Sequence, residues 1–151
     1  MTPQPSDLQT LSREIPGTLH FLEGLAGFEN FTEYELKALE GTPFYSMVSK
    51  ENEEIGFILT LPWHFVQHYE ADIPDEICQS LGIQSPEEAE LLALVTVRDP
   101  IEQSTMNLAA PLLIQHRTKN ALQVILNDPK WSTRTYLTQE VGFNAGPEQK
   151  A

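Results

Sequence analysis

Seven runs of aromatic and aliphatic residues punctuate this chain, at 18–22, 33–38, 43–48, 56–61, 91–97, 112–115 and 122–126, and none is longer than seven residues. Most are bounded by Gly, Pro, Asn or Asp, and Glu33-Tyr34-Glu35-Leu36-Lys37-Ala38 alternates polar with apolar at period two. A strand so patterned buries one face and wets the other. Most intervals between the runs are too short for crossover helices, so antiparallel pairing is expected. The reading is mainly β: a compact antiparallel β-barrel-like single domain with two or three short helices, since closure removes exposed strand edges. Leu91-Leu92-Ala93-Leu94-Val95 is apolar on both strand faces, which marks a central strand or one covered on its outer side; a buried helix segment is the competing reading.

Two short helices are signalled between the strands. The first opens at Pro74, with Asp75 and Glu76 favouring the positive helix end, Ile77 and Leu81 sharing one face, and Gly82 stopping the turn. The second opens at Ser85-Pro86-Glu87-Glu88, where a hydroxyl three residues before a glutamate has the spacing of a capping box. After Pro62, Trp63-His64-Phe65-Val66 is too brief to decide between a third helical turn and a loop. Residues 1–11 and 139–151 lack periodicity and read as a polar N-terminal tail and a flexible C-terminal tail around a domain at 12–138.

Charge narrows the function classes. Residues 1–97 hold 3 Lys and Arg against 17 Asp and Glu, whereas 98–151 hold 6 against 5, so the net charge of −13 is regional. The densest part is 70-EADIPDEICQSLGIQSPEEAELLALVTV-97, with seven acids and no base. Such a field repels nucleic acid and anionic membrane and speeds encounter with a basic partner. No apolar run reaches the ~20 residues needed to cross a bilayer, and MTPQPSDLQTLSRE lacks the features of a signal peptide, so a cytoplasmic protein is expected. The one cysteine, Cys78, excludes an internal disulfide.

Catalytic chemistry is not signalled. His64 and His68 have i, i+4 spacing, but no acid lies between them as in zinc-protease helices, and His20 and His116 stand alone, so no metal is expected. No Gly-x-Ser-x-Gly turn occurs, and acids around Cys78 raise its thiol pKa. Gly24-Leu25-Ala26-Gly27 lacks the lysine of a phosphate loop. Neither an enzyme nor a cofactor is expected, and the aromatics, mostly without basic neighbours, belong to the core or a protein interface.

The ordered segments FLEGLAGFENF, TPFYSMVS, LPWHFVQHYEADIPDEICQSLGI, SPEEAELLALVTV, TMNLAAPLLIQ and ALQVILNDPKWSTRTYL resemble the flagellar assembly factor FliW family over residues 12–138. The resemblance is most specific at Gly24-Leu25-x-Gly27-Phe28-Glu29, Tyr69-Glu70-x-Asp72-x-Pro74 and Asn107-Leu108-x-Ala110-Pro111. It implies a β-barrel-like protein without catalysis that binds the translational repressor CsrA, a small RNA-binding dimer, and separately binds flagellin. Capture of CsrA would lift repression of flagellin mRNA, and accumulating flagellin would recapture the factor. The alternative is a flagellin-specific chaperone without CsrA binding; an enzyme or ligand-binding barrel is the third class.

Glu70, Asp72, Asp75 and Glu76 are the expected acidic part of a CsrA face, four acids in seven residues. Gly24, Gly27, Phe28, Pro74, Asn107 and Pro111 are family-motif positions read as structural, with Asn107 as an amide satisfying loop backbone groups. The chain departs from the family pattern in three places. Pro62-Trp63-His64-Phe65-Val66-Gln67-His68 brings in two histidines, Ala26 stands where proline is common, and the basic turn is reduced to His116-Arg117-Thr118-Lys119-Asn120.

Overall fold

A computed structural model describes residues 16–137; both tails read from the sequence lie outside these residues. Among the described residues nine strands form one sheet: β1 Gly17–Phe21, β2 Glu33–Ala38, β3 Phe44–Ser49, β4 Gly56–Thr60, β5 Ala89–Thr96, β6 Thr105–Met106, β7 Leu112–Gln115, β8 Asn120–Gln123 and β9 Thr135–Tyr136. The sheet closes because β4 pairs with β5, giving a seven-stranded barrel in the order β1-β2-β3-β4-β5-β7-β8 and back to β1. The seam joining β1 to β8 is parallel, with His20 opposite Asn120 and Phe21 opposite Ala121; every other strand pairing among the described residues is antiparallel. The two-residue strands β6 and β9 extend the sheet from the C-terminal half of β5.

Alternation decides what fills the barrel. Along β1, β2 and β3 the inward residues are Leu19 and Phe21, Tyr34 and Leu36, and Tyr45 and Met47, and they meet Leu59, Leu92, Leu112, Ile114 and Ala121 in one core. Outward neighbours on β1 and β2 are mostly polar, whereas on β3 Phe44 turns outward to pack against the second core. Thr18 donates to Glu35 at 3.0 Å, and the His20 ring lies 2.7 Å from Glu33.

A second core covers the outside of β5, β7 and β8. Ala89, Leu91, Ala93, Leu113, Leu122 and Val124 pack there against Trp63, Phe65, Tyr69, Cys78, Leu81, Ile83 and Trp131. This is why the run at 91–95 is apolar on both faces, and it is a strand, not a helix.

One α-helix is present among the described residues, α1 at Asp75–Leu81, with 3₁₀ turns at Pro62–His64, Pro86–Glu88 and Ile101–Gln103. The start at Pro74 and the left-handed stop at Gly82 (φ 69°) are those expected. The capping box is not formed. The turn at Pro86–Glu88 spans only three residues, Ser85 makes no capping bond, and the Glu88 carboxylate instead accepts from the Gln84 N–H at 2.9 Å.

Candidate protein-interaction site

The chain between the Pro62 turn and α1 is anchored by aromatic groups. The Trp63 indole donates to the carbonyl of Tyr69 at 2.9 Å, and the Tyr69 hydroxyl donates to the carbonyl of Leu108 at 2.8 Å. The Tyr69 ring also meets Trp131 edge-on, with centroids 4.8 Å apart. Burial, with the negative Asp128 adding to it, pushes the Tyr69 phenol far above its usual pKa, so it stays a donor. These anchors bury Tyr69, Ala71 and Ile73 and leave Glu70, Asp72 and Pro74 exposed. Among the described residues no strand pairs with this segment. Its alternation nevertheless turns Glu70 and Asp72 outward together.

Asp75 and Glu76 follow in the first turn of α1, both exposed, where they complement the positive helix end. The four acids are therefore all exposed within seven consecutive residues, an acidic ridge along the chain. No Lys or Arg occurs anywhere between Lys50 and Arg98, so no base on this stretch neutralises it. Cys78, one turn further on, is buried; burial raises its thiol pKa and Asp75 adds to the effect.

The histidines do not converge. His64 is half-buried beside Phe65, and burial lowers its pKa; His68 is exposed against Trp131 at 5.7 Å. The i, i+4 spacing fails as a clamp because the helical part is a three-residue 3₁₀ turn. Among the described residues no group of three or more His, Cys, Asp and Glu is placed to hold a metal ion, and no helix is long and apolar enough to cross a membrane.

The remaining motif residues gather around β8. A Cβ on Gly24 would fall 2.5 Å from the Glu29 Cα, so only glycine fits, and Gly27 holds φ +88°. Phe28 then rests edge-on against Phe57 at 5.3 Å while staying partly exposed. Asn107 Oδ1 accepts from the N–H groups of Ala109 and Ala110, both at 3.0 Å, and the carbonyl of buried Pro111 accepts from Val124 at 2.9 Å.

Gln123 joins these loops. Its Oε1 accepts from the Ala26 N–H at 3.1 Å and its Nε2 donates to the Ala110 carbonyl at 3.2 Å. A proline at 26 has no N–H, so this link exists because of the chain's own departure at that position. Nothing in the sequence marked Gln123; its role arises only when three distant segments meet.

A model of the FliW protein family matches residues 4–137. The flagellar assembly factor FliW of Bacillus licheniformis is 36% identical over 118 residues, covering 78% of this chain and 82% of that protein. The flagellar assembly factor FliW of Treponema denticola is 34% identical over 123 residues, covering 82% and 84%. A crystal structure of the flagellar assembly factor FliW superimposes with a TM-score of 0.76 at 32% identity, covering 80% of this chain and 84% of that one.

Proposed function

The chain belongs to the FliW family of flagellar assembly factors, and from that premise we propose that it is a non-enzymatic, cytoplasmic regulator that sequesters the repressor CsrA and, in a partner switch, binds flagellin. Sequestration relieves repression of flagellin mRNA. The observation that carries this reading is the ridge of Glu70, Asp72, Asp75 and Glu76, exposed together and without a base from Lys50 to Arg98. An RNA-binding protein presents the complementary basic surface, and a ridge of this sign steers it while repelling RNA itself. The buried Tyr69, Ala71 and Ile73 support the role by holding the carboxylates in place before the partner arrives.

Calorimetric titration with the CsrA of the same organism, at low and at moderate salt, tests the proposal. Saturable binding that weakens with salt is expected. Absence of heat and of co-elution at both salts would transfer the role to flagellin binding alone. The exposed apolar residues Leu22, Phe28 and Ile125 offer a surface for that second partner.

A further inference from the structure

A cleft of about 180 Å³ opens beside α1, lined by Asp75, Cys78, Gln79, Ile83 and Gln84. The left-handed cap creates it. Gly82 N–H donates to the Gln79 carbonyl and Ile83 N–H to the Cys78 carbonyl, so the chain folds back along the helix. Ile83 and Cys78 are buried and form an apolar floor, whereas Asp75, Gln79 and Gln84 are exposed at the rim. Beyond the lining, the Glu88 carboxylate accepts from the Gln84 N–H at 2.9 Å. Glu87 next to it is exposed, and the Ser85 hydroxyl lowers its pKa.

Size limits what can enter. Sites for cofactors and drug-sized ligands occupy roughly 300–1,000 Å³, while a cavity of about 150 Å³ takes a benzene-sized group. The cleft therefore suits one side chain. An apolar floor accepts methylenes, and a rim of one carboxylate and two side-chain amides offers acceptors to several N–H donors at once, which fits a guanidinium better than a point-charge ammonium.

We infer that this cleft receives a single arginine side chain of the basic partner, making it the anchor pocket next to the acidic ridge. The inference rests on the reading of the ridge as the face for CsrA. It separates two jobs: the ridge attracts at long range, and the cleft holds.

The test is titration of CsrA into the full-length protein and two variants, with circular dichroism confirming the fold. Gln79→Trp, whose indole blocks the cleft, should weaken binding by about tenfold or more, as loss of a buried arginine anchor does. Asp75→Asn should weaken it to a smaller extent. Both substituted residues are exposed, and Asp75→Asn tests the cleft even where Gln79→Trp does not fold. Undiminished affinity in folded Gln79→Trp, or in Asp75→Asn should Gln79→Trp not fold, overturns the anchor pocket. If charge reversal at Glu70 and Asp72 abolishes binding while Gln79→Trp does not, the cleft alone is rejected. If the folded wild-type protein binds no CsrA, the ridge assignment and the cleft fall together.

Discussion

The Trp63 indole N–H is bonded to the carbonyl of Tyr69, six residues along the chain, at 2.9 Å and out of reach of solvent. That bond fixes the point at which the acidic ridge begins. Trp63→Phe keeps most of the apolar contact but leaves the carbonyl without its donor, at an expected cost of about 1–3 kcal/mol. Urea denaturation should show the loss as a lower midpoint at unchanged slope; a wild-type midpoint would remove this bond from the account of the ridge.

Charge reversal on the ridge should separate binding from folding. Glu70→Lys with Asp72→Lys alters two exposed side chains, so stability should move by no more than about 0.5 kcal/mol. Affinity for CsrA should fall more than tenfold, about 1.4 kcal/mol. The surviving binding should depend less on salt than the wild type's, which titrations at two ionic strengths will reveal.

Two glycines of one loop should respond unequally to alanine. At Gly24 the added Cβ meets Glu29 backbone atoms at 2.5–2.7 Å, so the loop must open; a loss above about 2 kcal/mol is expected. At Gly27 nothing lies within 4 Å, and only the φ of +88° opposes the substitution, for about 1–2 kcal/mol. Thermal unfolding of both variants checks the order, and a costlier Gly27→Ala would contradict the close approach at Gly24.

Stability should decline on mild acidification partly through His64. Burial lowers its pKa in the folded protein, so below the ordinary value of 6.5 the unfolded chain takes up the proton first. The contribution is complete above pH 6.5 and is lost as pH falls from there toward the folded value. His64→Phe should narrow the difference in denaturation midpoint between pH 7.5 and pH 5.5; an unchanged difference would show that other groups carry it.

The local parts of this fold were legible because local chemistry determines them. Alternation at Glu33–Ala38 placed Tyr34 and Leu36 inside the barrel, and Pro74, two acids and Gly82 bounded α1 to the residue. The capping box failed because spacing cannot reveal that a turn will last only three residues, which left Glu88 free to reach back to Gln84. The strands β6 and β9 were missed for a related reason: two residues carry no period, and their pairing depends on β5 continuing past β7. Of the candidate face, the charges could be read and the support could not. Trp131 and Leu108, which hold Tyr69, lie 62 and 39 residues further along the chain.

The parallel seam between β1 and β8 also bears on biosynthesis. The first barrel strand to leave the ribosome must wait for the last, so β1 and β2 exist only as an open ribbon until residue 123 has emerged. The floor beneath the acidic ridge is incomplete for the same interval, because Leu113, Leu122 and Trp131 are still to come. A nascent or truncated chain would display the right carboxylates on an unsupported loop and pay an ordering cost on capture. Closure of the barrel thus sets the moment at which a newly made molecule first holds its acidic ridge on a finished support.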